Sequence, residues 1–217
     1  SIIQFKAEGQ IIKRHPEFCL DRRNLLHRID YEKGTIELEG IKYPLLDTNF
    51  PTVDPKDPYT FTDQEADIME RLERAFTNCD KLQQHMKFLL AKGSLYKVYN
   101  NNLLYHGCVP LNEDGTFKEV EIYGKKYKGK ALYDILDNYV RKGFVAMDRE
   151  ERERGRDLMW YIWLHENSPL FGKDKMATFE RYFLTEKETH KETKNPYYHF
   201  LENEEVMDRI LVEFGLA

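Results

Sequence analysis

The chain has 217 residues, enough for one sizeable domain or two small ones, with 41% hydrophobic and 33% charged residues. That balance excludes general disorder, and fourteen Tyr with thirteen Phe supply bulky core material. A net charge of −5 gives no reason to expect nucleic acid as a partner, and no apolar run reaches the roughly 20 residues that cross a bilayer.

In chain order, Ile2 to Arg14 is apolar at positions 2, 3, 5, 7, 11 and 12, which predicts an amphipathic helix. His15-Pro16 ends it, because the residue before proline is pushed out of the helical region. Leu20 to Tyr31 reads as a short helix with Asp21 as N-cap and Leu25, Leu26 and Ile29 on one face. Gly34 to Leu46 alternates about Glu39-Gly40 as a hairpin. Asp47 to Thr60 is an ordered surface loop. Its acidic and amide side chains make a cation site conceivable, but the spacing is not that of an EF-hand. Thr62-Asp63-Gln64-Glu65 is a capping box that opens a helix to about Phe76. A second helix runs from about Cys79 to Ala91 with Leu82, Met86, Leu89 and Leu90 inward and a surface His85, and Gly93 stops it.

Ser94 to Gly115 then reads as strand, Asn-rich turn and a second, buried strand that ends in His106-Gly107. A further hairpin turns at Gly124, a helix covers Ala131 to Met147, and a solvated charged stretch, DREERERGRD, leads into the buried segment Leu158 to Trp163. Glu166 to Phe183 mixes cations with aromatics. A polar loop and a helix from about Glu204 to Phe214 close the chain. Cys19, Cys79 and Cys108 are odd in number and have no CxxC pair, which argues for a reducing cytoplasm, and no signal peptide is visible. The absence of an initial Met, and ends that fall within or just after helices, suggest an internal piece of a longer polypeptide.

The chemistry centres on His106. Imidazole is a common metal ligand and Gly107 permits close approach, yet one histidine cannot hold a catalytic ion, and no HExxH, HxH or DxH pattern adjoins it. Spacing leaves it open between ligand and structural histidine. Cys108 is a nucleophile by residue type only. Lys173, Lys175 and Arg181, with Asn167 and Ser168 as donors, form a candidate phosphate clamp; a charged loop over an aromatic core is the alternative.

The strings NNLLYHGCVPLNEDG, YGKKYKGKAL, ENSPLFGKDKMATFERYF and KETHKETKNPYY resemble the class 3 fructose-1,6-bisphosphatases of Firmicutes, and the likeness covers the whole chain. The resemblance implies an α/β (α+β) fold: part of a calcineurin-like metallophosphatase β-sandwich flanked by helices. Residues 1–92 would be a mainly helical insert or cap with a hairpin near 34–46, and residues 93–217 a portion of the phosphatase core. It implies hydrolysis of fructose 1,6-bisphosphate, a gluconeogenic step, with two divalent ions, manganese first. His106 would be one metal ligand. Asn167, Lys173, Lys175 and Arg181 would bind substrate. Of the superfamily's five metal motifs only the strand-end histidine followed by glycine has a counterpart here, so the segment alone is expected to be inactive. Trp160 in DLMW is similar to a segment of phosphoprotein phosphatases, which would put Glu166 to Arg181 beside the cleft. The partners implied are the sugar bisphosphate and either further copies or the remaining segments of the same polypeptide. A phosphoprotein or nucleotide phosphatase, or a non-catalytic cap or oligomerisation segment, are the alternatives.

Overall fold

A computed structural model describes residues 2–216. The first elements in chain order are helix α1 (Ile2–Arg14), strands β1 (Ile29–Asp30), β2 (Thr35–Leu38) and β3 (Ile41–Pro44), and helices α2 (Asp63–Thr77) and α3 (Asp80–Lys92). Strands β4 (Tyr96–Tyr99), β5 (Asn102–Tyr105), β6 (Val120–Ile122) and β7 (Lys125–Tyr127) follow. Helices α4 (Gly129–Val145), α5 (Arg149–Leu164), α6 (Thr178–Phe183) and α7 (Glu204–Glu213) complete the chain. The fold class is mixed α/β. The strands form three small antiparallel sheets, ordered β1-β2-β3, β4-β5 and β6-β7. The chain divides into two compact units, Ser1–Lys87 with Ala177–Lys191, and Phe88–Met176 with Glu192–Ala217.

In the first unit α1 ends at Arg14, just before His15-Pro16, as the proline requires. Its buried face holds Phe5 and Ile12, and also Lys6. The Lys6 ammonium donates to the Thr52 carbonyl at 2.5 Å and to Glu65 Oε2 at 2.7 Å. Glu65 also accepts from the Thr62 N–H at 2.9 Å, so the capping box that starts α2 shares its carboxylate with a buried ion pair. Gly9 leaves room for the Tyr59 ring, into which any Cβ would run. Phe5, Leu26, Ile29, Ile36, Phe50, Phe179 and Phe183 build the core, and a second ion pair, Arg23 to Glu180 at 2.5 Å, lies beside it.

Three expectations are corrected. Leu20 to Tyr31 is not an α-helix but two 3-10 turns, Asp21–Arg23 and Leu26–Arg28, because Ile29 and Asp30 pair with β2 and pull the chain straight. Of the α3 residues expected inward, Leu82, Met86 and Leu90 are only half-buried and Leu89 is 57% exposed: periodicity fixes which side chains share a face, not how fully it is covered. Strand β5 is half exposed rather than buried. A two-stranded sheet offers one face to a core, and here Tyr96, Leu103 and Tyr105 take that face while Tyr99 and Leu104 stay outside.

In the second unit Asn100 and Asn101 both adopt positive φ, the requirement of a two-residue hairpin turn, and set the register Tyr96↔Tyr105. The β4-β5 hairpin packs on Cys108, Val109, Tyr133, Tyr197, Ile210 and Phe214. Helices α4 and α5 approach closely where Gly143 meets Gly155, since a Cβ on Gly155 would strike the α4 backbone. Leu158, Tyr161 and Ile162 of α5 are buried while Trp163 turns outward, contrary to a wholly buried segment.

Candidate functional site

His106 follows β5 directly, and the next two residues are fixed from outside the hairpin. The Cys108 N–H donates to the Pro169 carbonyl at 2.7 Å. Gly107 sits at φ +83°, and a Cβ there would run into the same carbonyl oxygen and the Leu170 backbone. The Cys108 carbonyl accepts from the Tyr133 hydroxyl at 2.9 Å. The base of the His106 turn is therefore locked to the loop that follows α5.

That loop is itself over-determined. His165, which sequence reasoning missed, is buried, stacks on Tyr161 at 4.0 Å, and accepts the Asn167 N–H on Nδ1 at 3.0 Å. An accepting Nδ1 puts the proton of the neutral ring on Nε2. Ser168 is fully buried; its hydroxyl donates to the Ile162 carbonyl at 2.5 Å and accepts from the Leu170 N–H at 3.2 Å. Its single proton is engaged inside the protein and is not offered to a phosphate. Downstream, the Asn195 N–H donates to the Gly172 carbonyl at 2.9 Å and the Thr193 N–H to Asp174 Oδ1 at 2.7 Å. A histidine just past an apolar helix end, followed by Glu-Asn-Ser-Pro, was the available signal for this turn.

The side chains expected to act fall as follows. The His106 ring is exposed and makes no hydrogen bond or ion pair to any described residue. It lacks the second hydrogen bond that commonly orients a ligating imidazole. It rims a cavity of about 340 Å³ whose other walls are Met159, Ile162, Trp163, Leu170, Phe171 and Met176. Those walls are mostly apolar, and the Trp163 indole is the one side chain among them with a donor for a phosphate. Lys173 pairs with Glu192 Oε2 at 2.8 Å. Lys175 is half-buried, and the Asn167 Oδ1 is buried without a hydrogen-bond partner among the described residues. Arg181 is exposed on α6 and belongs to the first unit, whereas Asn167, Lys173 and Lys175 belong to the second. Cys108 is fully buried, and burial pushes its thiol up to about 12, so at neutral pH it is an inert packing thiol.

The acidic loop 47–60 spends its carboxylates on its own turns: Asp47 accepts from the Asn49 N–H, Asp54 from the Lys56 N–H and Asp57 from the Thr60 hydroxyl. Among the described residues no three His, Cys, Asp or Glu side chains converge as a metal site. The residues present thus do not fit a complete metal centre.

A family model described as Firmicute fructose-1,6-bisphosphatase matches residues 1–217. The chain belongs to that family. Similar relatives are the class 3 fructose-1,6-bisphosphatases of Clostridium novyi (strain NT), 56% identical, and of Clostridium acetobutylicum, 54% identical. Each match covers all of this chain and 33% of the relative, so the chain spans about a third of the length of the curated bisphosphatases it matches. No solved structure matches it.

Proposed function

We propose that this chain serves the hydrolysis of fructose 1,6-bisphosphate to fructose 6-phosphate and phosphate, acting as part of a polypeptide of the length of its relatives. The observation that supports this reading is the family match over all 217 residues, with His106 on the turn that is locked to the loop at Pro169. The proposed setting is the cytoplasm, in keeping with three free cysteines.

The metal part of the proposal is narrower. His106 would contribute one imidazole to a site for divalent ions, manganese first, whose other ligands lie outside these residues. A lone imidazole does not hold a catalytic ion. What the chain's own residues supply is position. The Pro169 lock fixes the backbone at His106, and the Lys173 ammonium, paired with Glu192, keeps further N–H donors that a phosphate oxygen could accept from.

A second role is favoured for the first unit by its exposed helix α2. With Glu65 its sole buried residue, α2 carries no enclosed site and suits a cap or assembly surface.

Phosphate release tests the proposal. The longer polypeptide is expected to prefer fructose 1,6-bisphosphate to phosphopeptides and nucleotides, and a dominant rate on either of those would overturn the substrate assignment. The 217-residue chain is expected to show little or no turnover with manganese, and a rate equal to that of the longer polypeptide would contradict the shared site.

A further inference from the structure

The outer part of α2 is left open by the described residues. Ile68, Leu72 and Phe76 are 42%, 48% and 62% exposed. Spaced by four, they form one ridge, of the kind that interdigitates when two helices cross at about −50°. A groove of about 590 Å³ runs beside it, lined by Ile68, Arg71, Leu72, Arg74 and Ala75. A helix of 15 residues is marginal alone in water, and its uncovered apolar ridge adds a hydration cost that a partner removes.

The charges on the flanks identify the partner. At about 100° per residue, Arg71 and Glu73 lie on opposite sides of Leu72, one position before it and one after. A two-fold axis passing by Leu72 and running roughly along the helix brings Arg71 of one copy beside Glu73 of the other, and does so twice. Both groups are available for this. Arg71 is 75% exposed and has only a 3.7 Å ion pair with Asp67, and Glu73 has no ion pair among the described residues. The same operation lays Leu72 on Leu72 with Ile68 and Phe76 around it. The surface is self-complementary in shape and in charge, the condition for an isologous contact.

We propose that α2 is a homodimer contact, in which two copies cross in parallel on the ridge with Leu72 at the centre and two Arg71–Glu73 pairs at the rim. This deepens the assembly role proposed for the first unit and is independent of the phosphatase reading. A single helix crossing buries less than the roughly 1,200–2,000 Å² of a standard interface, so the association is concentration-dependent.

Sedimentation equilibrium of the 217-residue chain over a concentration series tests it, with circular dichroism to confirm that each variant keeps its helices. The wild-type chain is expected to approach twice its monomer mass as concentration rises. Leu72→Glu is expected to raise the dissociation constant about thirtyfold or more. Arg71→Glu and Glu73→Arg are each expected to weaken association several-fold, and R71E/E73R together to restore it, because every rim pair is re-formed with its signs exchanged. If Leu72→Glu loses helicity, the charge-reversal set decides alone. A monomer at all concentrations, a dimer indifferent to the ridge substitutions, or a double reversal that restores nothing would each overturn the contact. Phosphate release is read separately, so loss of the dimer and loss of the hydrolytic assignment are distinguishable.

Discussion

The two units hold their key backbone turns by different means. In the first, charge does it: Lys6, 1% exposed, and Glu65, 6% exposed, pair inside the protein and tie α1 to the start of α2. In the second, shape does it: a glycine at positive φ and a main-chain hydrogen bond hold the His106 turn against Pro169, with no ionised group involved. A junction held by charge responds to pH and to loss of either partner. A junction held by a missing Cβ responds to one methyl group and to little else. The element that presents His106 is thus insulated from solution conditions that would loosen α2.

Removing one member of the buried pair should have the largest effect. Lys6→Met or Glu65→Gln leaves a buried charge without its counter-charge and is expected to cost about 3–5 kcal/mol of unfolding free energy. The double variant K6M/E65Q should cost less than the sum, and strict additivity in urea titrations would show that the pair is not coupled. Next comes Gly107→Ala, expected to cost about 2–4 kcal/mol from the left-handed backbone and the collision with the Pro169 carbonyl. Gly124→Ala, at a positive-φ site with open space around it, should cost less, because only the backbone penalty remains.

The pH dependences sharpen the contrast. Burial pushes the Glu65 carboxyl up, but hydrogen bonds from Lys6 and the Thr62 N–H and the Lys6 charge outweigh it and hold the group below the ordinary 4.5. A depressed carboxylate contributes stability that is present above 4.5 and lost as pH falls below it. Acid should therefore loosen the first unit, and Glu65→Gln should flatten that loss. The Cys108 thiol is raised from 9.0 to about 12, so its contribution is present below pH 9 and is lost as pH climbs toward 12. Urea midpoints at pH 8 and pH 10 should fall for the wild type and fall less for Cys108→Ala. The smallest effect on folding is expected for Leu72→Glu, within about 0.5 kcal/mol, because the site is half exposed.

Much of the local structure was legible because local chemistry decides it. The Thr62–Glu65 box, the proline stop after α1, and the hairpins turning at Glu39-Gly40, Asn100-Asn101 and Tyr123-Gly124 all depend on a few neighbouring residues. What was not legible depends on distant partners. Leu25, Leu26 and Ile29 satisfy a helical period, but Ile29 answers to Ile36. Leu89 satisfies one too, yet it is 57% exposed. At the site, His106 could be named from its setting, but not the apolar cavity beside it, whose walls come from α5 and the following loop. Lys173 read as a free cation because Glu192, 19 residues away, cannot be matched to it by spacing.

His106→Ala in the full-length family polypeptide, assayed for bound metal and for turnover of fructose 1,6-bisphosphate, tests the role of this chain most directly. The ring is exposed and makes no hydrogen bond or ion pair among the described residues, so folding stability should stay within about 0.5 kcal/mol of wild type and any loss of turnover reports chemistry. Metal content should fall and turnover should drop about a hundredfold or more. Unchanged metal content and unchanged turnover would contradict the assignment of His106 to the phosphatase site.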